Sequence, residues 1–316
     1  MDAIGFAWEV SLSSPAFLSV CLNPTLQKTL RFPSLSRDTV NRTAEHRLDA
    51  SGKGVNVTRV LSQLGLPATH LTQLGGDFRQ LFLDLCARDG LPVRWVDSGS
   101  QIRFCYTAID SSDKSVTELV EESYPVSSHT ESLLLDLFRE IVPAYGTLIV
   151  SGTKAAGFSD RVVPELTRIA KQHGLRVILD VRGADLSGSL QYGPDVVKPN
   201  LHEFLTTYLP GLVGSGVDEE TLKEKVSEQA AHIAAEYGSR VVLTRGAHSV
   251  WLYEDATFIE LAIEAAQPVN TTGSGDAFTA GFAAAMADGA TLRDAALEGA
   301  RCGRLNALLL KPGTIV

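Results

Sequence analysis

Cysteine is sparse. Cys21, Cys86, Cys105 and Cys302 are the four in 316 residues, far apart and with no CxxC pair. Such spacing argues against a disulfide framework and suits a reducing compartment, each thiol serving as a small buried apolar group. Basic charge is not in excess either. The 28 Lys and Arg stand against 37 Asp and Glu, a formal charge of -9. That balance argues against a nucleic-acid partner, which needs a basic surface to release counterions. A small anionic substrate needs only a local basic pocket. No uncharged apolar run approaches the roughly 20 residues that span a bilayer, so no membrane partner is expected. The opening MDAIGFAWEV has acidic residues and no basic n-region, unlike a secretory signal. The sequons at Asn41, Asn56 and Asn270 are read as chance matches in a cytoplasmic protein. There is no internal repeat, low-complexity tract or interdomain linker, and residues 1–316 are expected to form a single domain.

What the chain does contain is an alternation of β-rich runs and helical patterns. AFLSVCL (16–22) reads as a buried strand and VNVTRVLSQLG (55–65) as a helix. THLTQLGG (69–76) reads as the next strand, followed by DFRQLFLDLCARDG, a helix closed by glycine. TLIVSG, RVILDVRG and DVVKPN are further strand endings. This rhythm predicts an α/β fold, a doubly wound, mostly parallel sheet with helices on both faces. Ligands in such sheets gather at the carboxyl ends of the strands. Two stretches, 27–50 and 98–122, break the rhythm with polar–apolar alternations such as RFCYTAI and KSVTELV. They fit either a small β-sheet lid over the ligand edge or a pair of long surface hairpins.

Three motifs carry candidate chemistry. In NTTGSGDAFTAGF (270–282), Gly273, Ser274 and Gly275 bring backbone N–H groups to a helix start, an anion-binding arrangement. Asp276 in the first turn is placed to take a proton from an acceptor hydroxyl; a plain glycine turn with an aspartate cap would look the same. In SGKGVN (51–56), Gly52 and Gly54 allow close approach of a ligand, Lys53 can reach an anion, and Asn56 can pair with sugar hydroxyls. A βα turn with a solvated lysine is the plainer reading. In KPNLHE (198–203), Asn200 and Glu203 lie at i and i+3 after Pro199, an amide and a carboxylate suited to a hydrated magnesium ion. They equally suit a capping box, and the two roles are compatible.

The order of these motifs resembles the ribokinase-like carbohydrate kinases of the PfkB family, closest to the branch with 1-phosphofructokinase and tagatose-6-phosphate kinase. The resemblance runs from CLNPTLQKTL through SGKGVNVTRVLSQLG, LTQLGGD, VILDVRG, VKPNLHEF, VVLTRGA and NTTGSGDAFTAGF to GRLNALLLKPGTI. It covers the chain from about residue 17; the first 15 or so residues look like an extension. It implies ATP and magnesium as cofactors and a sugar phosphate as acceptor. It implies that Asp276 is the catalytic base and Gly273, Ser274 and Gly275 its anion hole. Lys198, Asn200 and Glu203 would serve nucleotide phosphates and magnesium, with Thr244 and Gly246 near the nucleotide and Asn306 near the adenine. Gln27, Gly52, Lys53 and Asn56 would face the sugar, and Arg103, on the lid, would receive its phosphate. A homodimer through the lid is a further expectation.

The chain departs from the family pattern on the acceptor side. NPTLQ puts Gln27 where NPAxD has an aspartate, Ser51 replaces the first glycine of GGKGxN, SGTKA adds Lys154, and TELVEES replaces TExNxPG. An amide at Gln27 gives weaker acceptor bonds than a carboxylate. Lys53, Arg103 and Lys154 would favour an anionic sugar. Two alternatives remain in view: a kinase of an unphosphorylated sugar or nucleoside, and a non-catalytic sugar- or nucleotide-binding regulator. An oxidoreductase is a distant third, since no GxGxxG follows the first strand.

Overall fold

The structure, a computed structural model, describes residues 16–316; the expected N-terminal extension lies outside the described residues. The first half contains β1 (Phe17–Val20), β2 (Thr25–Phe32), β3 (His46–Ser51), α1 (Lys53–Gln63), β4 (Ala68–Leu74), α2 (Arg79–Arg88), β5 (Val93–Asp97), β6 (Arg103–Asp110), β7 (Ser115–Val120) and α3 (Thr130–Ile141). The second half contains β8 (Thr147–Ser151), α4 (Val162–Gln172), β9 (Arg176–Asp180), α5 (Gly183–Ser189), β10 (Val196–Val197), α6 (Leu201–Tyr208), α7 (Glu219–Tyr237), β11 (Arg240–Leu243), β12 (Val250–Glu254), β13 (Thr257–Leu261), α8 (Ser274–Ala287) and α9 (Leu292–Ala307).

Nine strands form the main sheet in the order β13-β12-β11-β10-β9-β8-β1-β4-β5. All pairings from β11 to β5 are parallel, and β12 and β13 add antiparallel at one edge. Strands covered on both faces must be apolar throughout, which is why TLIV, VILD and VVL are buried along their length. Their side chains divide by parity. Leu18, Val20, Leu148, Val150, Val177 and Leu179 join one core with residues of α3 to α7, including Leu134, Val163 and Phe204. Phe17, Ile149, Ile178, Val196 and Val242 join the other with α1, α8 and α9, including Val57, Phe282 and Ala295. Each such side chain, fully buried, contributes about 1.5–3 kcal/mol.

A separate four-stranded sheet has the order β3-β2-β6-β7. Its central pairing joins the two irregular stretches: β2 runs parallel to β6, with Gln27 opposite Cys105 and Thr25 opposite Arg103. Independent hairpins would lack that pairing, so the lid arrangement is the one formed. The lid strand β2 starts five residues after β1 ends, which ties the small sheet to the carboxyl edge of the large one.

Candidate active site

Four adjacent strands deliver polar residues to one edge. β8 ends at Ser151, β9 at Asp180, β10 is followed by Lys198 and β11 by Thr244. The order of the sheet reverses at β1, and the carboxyl edge beside such a reversal is where doubly wound sheets take ligands. The cleft there has a volume of about 520 Å³ and is lined from both sheets.

Asp180 lies at its base, a residue that the sequence reading did not single out. Its side chain is buried, with Nζ of Lys53 and Nζ of Lys198 each 3.5 Å from Oδ1. Ser151 Oγ donates to Oδ2 at 2.9 Å. Burial alone would raise the Asp180 carboxyl, but Lys198 and Lys53 outweigh it and hold the group below the ordinary range. The available sequence signal was a lone carboxylate closing an otherwise apolar strand, RVILD. Lys53 also lies 3.3 Å from Glu203 Oε1. Burial disfavours its charge, yet Asp180 and Glu203 together shift its ammonium upward. Lys198 has its ammonium 5.5 Å from the Phe278 ring as well.

Opposite these groups stands α8. Gly273 caps it with a φ of 82°, a left-handed conformation that costs glycine nothing, and no side chain caps the first turn. The Ser274 N–H bonds to the Thr271 carbonyl at 3.1 Å, and the next two amides, of Gly275 and Asp276, are left for an anion. A Cβ on Gly273 would strike the backbone of Gly313, so the loop before α8 packs directly on the C-terminal segment. Asp276 is buried in that first turn and accepts a hydrogen bond from Asn56 Nδ2 at 2.7 Å. Burial pushes its carboxyl up to about 6, against the opposing pull of Lys53 and the Asn56 hydrogen bond.

At the start of α6 the capping box is present. Asn200 Oδ1 accepts from the Glu203 backbone N–H at 2.8 Å, and Glu203 Oε2 accepts from the Asn200 N–H at 3.0 Å. Both side chains line the cleft, so the cap sets their position there.

The facing wall comes from the small sheet. Gln27 is buried, and its Nε2 donates to Thr107 Oγ1 at 2.8 Å. Arg103 Nη1 donates to the Glu121 carbonyl at 3.0 Å, whereas its buried Nε has no partner among the described residues. Glu118 on β7 accepts from Thr272 Oγ1 at 2.8 Å, joining the lid to the loop before α8.

Of the residues singled out in the sequence, Gln27, Gly52, Lys53, Asn56, Arg103, Lys198, Asn200, Glu203, Thr244, Gly273, Gly275 and Asp276 all line this one cleft. Ser274, Gly246 and Asn306 do not, and neither does Gly54, which is buried against Cys21, His70 and Ser19 and so admits close packing of β1 and β4 instead of a ligand. Asn306 is fully buried; its Nδ2 donates to the Thr272 carbonyl and to Ser274 Oγ, both at 3.0 Å, and its Oδ1 accepts from Thr314 N–H. It braces the glycine loop from behind. Gly246 sits in the exposed turn after β11 with a φ of 65°. Lys154 is also outside the cleft, with its ammonium 2.8 Å from Asp160 and 2.5 Å from Asp185. Its charge is met by those carboxylates, and so is that of Lys53 by Asp180 and Glu203. Neither lysine therefore argues for an anionic sugar; Arg103 alone of the three has a buried side-chain nitrogen with no partner among the described residues.

The fold has many solved counterparts. Phosphofructokinase-2 from Escherichia coli, in its tetrameric inhibited form, is 22% identical over 93% of this chain and 94% of its own, with a TM-score of 0.80. The same enzyme in complex with fructose-6-phosphate gives 22% identity, 93% coverage of each chain and a TM-score of 0.78. A possible 1-phosphofructokinase from Thermotoga maritima is 19% identical over 94% of this chain and 93% of its own, with a TM-score of 0.82. At these identities the likeness establishes the fold. The family is established by sequence: the profile described as pfkB family carbohydrate kinase matches residues 20–315. The chain belongs to that family and is a carbohydrate kinase.

Proposed function

We propose that this kinase transfers the γ-phosphoryl group of ATP to a hydroxyl of a sugar that already carries a phosphate. The observation that carries the sugar-phosphate reading is Arg103, a half-buried guanidinium on the acceptor wall with an N–H that has no partner among the described residues. An unmet buried donor is costly, and a phosphate oxygen satisfies a guanidinium better than any neutral group. The phosphofructokinase neighbours, one of them bound to fructose-6-phosphate, support the same class.

Asp276 takes the proton of the attacking hydroxyl as that oxygen bonds to the γ-phosphorus and the bond to the bridging oxygen of ADP breaks. A carboxyl lifted to about 6 is poised for this near neutral pH. The amides of the Gly273–Gly275 turn and the α8 dipole stabilise charge on the moving phosphoryl group. Lys198, fixed by Asp180, supports the nucleotide phosphates. A base tuned in this way beside an anion hole favours turnover over a purely regulatory role.

Among the described residues no group of three or more His, Cys, Asp or Glu forms a dedicated metal cage. Asn200 and Glu203, already hydrogen-bonded to one another's backbone, suit an ion that keeps its own waters and takes phosphate oxygens, and they would hold magnesium through water. When bound, the metal neutralises phosphate charge. A lid-to-lid homodimer is consistent with the edge strand β7, whose Leu119 and Val120 are exposed. Light scattering of wild type and Leu119→Asp tests it: a monomeric wild type ends that reading.

The function is tested by kcat/KM for matched pairs, fructose with fructose 1-phosphate or 6-phosphate and tagatose with tagatose 6-phosphate, in wild type and Arg103→Ala. The phosphorylated member is expected to be preferred, and Arg103→Ala to raise its KM far more than that for ATP. A wild type that prefers the neutral sugar, or an Arg103→Ala variant that weakens both acceptors equally, refutes the sugar-phosphate reading.

A further inference from the structure

Beneath Asn56 lies a buried guanidinium that the chemistry above does not use. Arg59 is one turn further along α1, and only 2% of its side chain is exposed. Nε donates to Asp89 Oδ2 at 2.8 Å, and Nη2 to the Ala50 carbonyl at 2.6 Å. Nη1 donates to the Pro312 carbonyl at 3.2 Å and to Asn56 Oδ1 at 3.0 Å. The other carboxylate oxygen of Asp89 is held by Lys311. The guanidinium is thus pinned to β3, α1, the end of α2 and the C-terminal segment at once.

An asparagine amide has two ends of opposite character: the oxygen only accepts and the nitrogen only donates. Asn56 Oδ1 faces two donors, Arg59 Nη1 and, at 3.3 Å, Ser51 Oγ. A flipped amide would set its NH2 against a guanidinium that cannot accept. The guanidinium therefore fixes which end points the other way, with the Ser51 hydroxyl adding a second bond to Oδ1, and that other end, Nδ2, donates to Asp276 Oδ2. Ser51 stands where the family pattern has a glycine, and a glycine has no hydroxyl to offer. The departure at Ser51 so has a physical role here.

We propose that Arg59, assisted by Ser51, is a positioning residue for phosphoryl transfer: it locks the Asn56 amide in the one orientation that donates to Asp276. This rests on the reading of Asp276 as the base. A donated hydrogen bond favours the ionised carboxylate and directs its free lone pairs; an amide oxygen in the same place would favour the protonated acid. The charged groups acting on Asp276 are Lys53, Lys198 and Asp180, with the buried Cys21 thiol nearby, and those on Arg59 are Asp89 and, through it, Lys311, with buried His70 and Cys86 nearby. Arg59→Lys keeps the charge at the inner site but not the fork that spans these acceptors.

The test is the pH profile of kcat with ATP and fructose 6-phosphate, or fructose 1-phosphate where that is the better acceptor. In Arg59→Lys the acid limb is expected to move up by about one unit, with kcat roughly tenfold lower on that limb and recovering at higher pH. Ser51→Gly, which removes no buried charge, is expected to move the limb the same way by less. A purely structural role would lower kcat or stability without moving the limb. The same profile in Asn56→Ala and in Asn56→Ala with Arg59→Lys decides the route, since an Arg59 that acts through Asn56 adds no shift once the amide is gone. Unmoved limbs in both Arg59→Lys and Ser51→Gly overturn the proposal, as does a further shift in the double variant. Asp276→Asn is assayed alongside. If it stays active, the base assignment fails; if it is inactive while the double variant shifts further, only the positioning role fails.

Discussion

Asp276→Asn is expected to cost activity and add stability. The carboxyl is buried and its pKa rises from 3.8 to about 6 in the fold, chiefly through burial. In the unfolded chain it ionises near 3.8; in the folded chain it holds its proton until about 6. Between those values the unfolded state gives up a proton that the native state keeps, so each step upward in pH weakens the wild type. Above pH 6 the penalty is complete, and a rise of about two units corresponds to about 3 kcal/mol. An asparagine of the same shape never ionises, and its side-chain oxygen can still accept from Asn56 Nδ2. The variant is therefore expected to melt roughly 5 °C above wild type at pH 8. That advantage should shrink toward zero as pH falls from 6 to 4. Turnover should fall about 10²-fold or more, with ATP affinity nearly kept. Melting curves from pH 4.5 to 8, paired with initial rates at pH 8, measure both effects. An Asn variant that melts below wild type at pH 8, or a difference that does not vary with pH, refutes the electrostatic reasoning. Near-normal kcat removes Asp276 from the proton transfer.

Two further outcomes follow from the same geometry. Glu203→Gln keeps a side chain able to accept from the Asn200 N–H, so the cap should persist, while the magnesium concentration for half-maximal rate should rise; an unchanged magnesium titration leaves Glu203 as a capping residue only. Gly313 has a φ of 59° and packs its Cα against Asn56, where an added Cβ would strike the Asn56 side chain, so Gly313→Ala should lower kcat about tenfold or more and reduce stability by about 1 kcal/mol or more; wild-type rates in that variant would show that Asn56 has room to move.

The sheet was legible because strands buried on both faces are written in short runs that are mostly apolar and rich in β-branched residues, and TLIV, VIL and VVL satisfy that locally. The glycine loops were legible for a similar reason: left-handed backbone at Gly52 and Gly273 has few chemical solutions. Pairings across long separations were not. The alternation in RFCYTAI shows a strand, but nothing in it shows that β6 runs parallel to β2 some 78 residues earlier. Side-chain charge was least legible of all. Lys53 and Lys154 look alike in sequence, and whether an ammonium is free for a ligand depends on which carboxylates the fold brings beside it. Asp180 and Asp185 decide that, one in the cleft and one outside it. The resemblance puts Asn306 near the adenine; that its buried amide also holds the glycine loop is a role that only its hydrogen-bond partners reveal.

On the proposed reading, the charges at the base of the cleft also bear on why a divalent cation would accompany the nucleotide. Lys53 and Lys198 are the cations there, and both already face Asp180, while Lys53 faces Glu203 as well. The base of the cleft is therefore near charge balance and not a ready receptor for a polyanion. On the proposed reading, phosphates arriving without a counterion would press more negative charge toward Asp276 and strengthen its hold on a proton. That would leave the base protonated at the pH where it must accept. A cation carried in with the phosphates removes the conflict. It also spares the lysines from leaving Asp180, whose burial makes an unpaired carboxylate there costly. On that reading burial sets the affinity of Asp276 for its proton, and the carboxylates that already pair the lysines leave the nucleotide's charge to be reduced by a cation that comes with it.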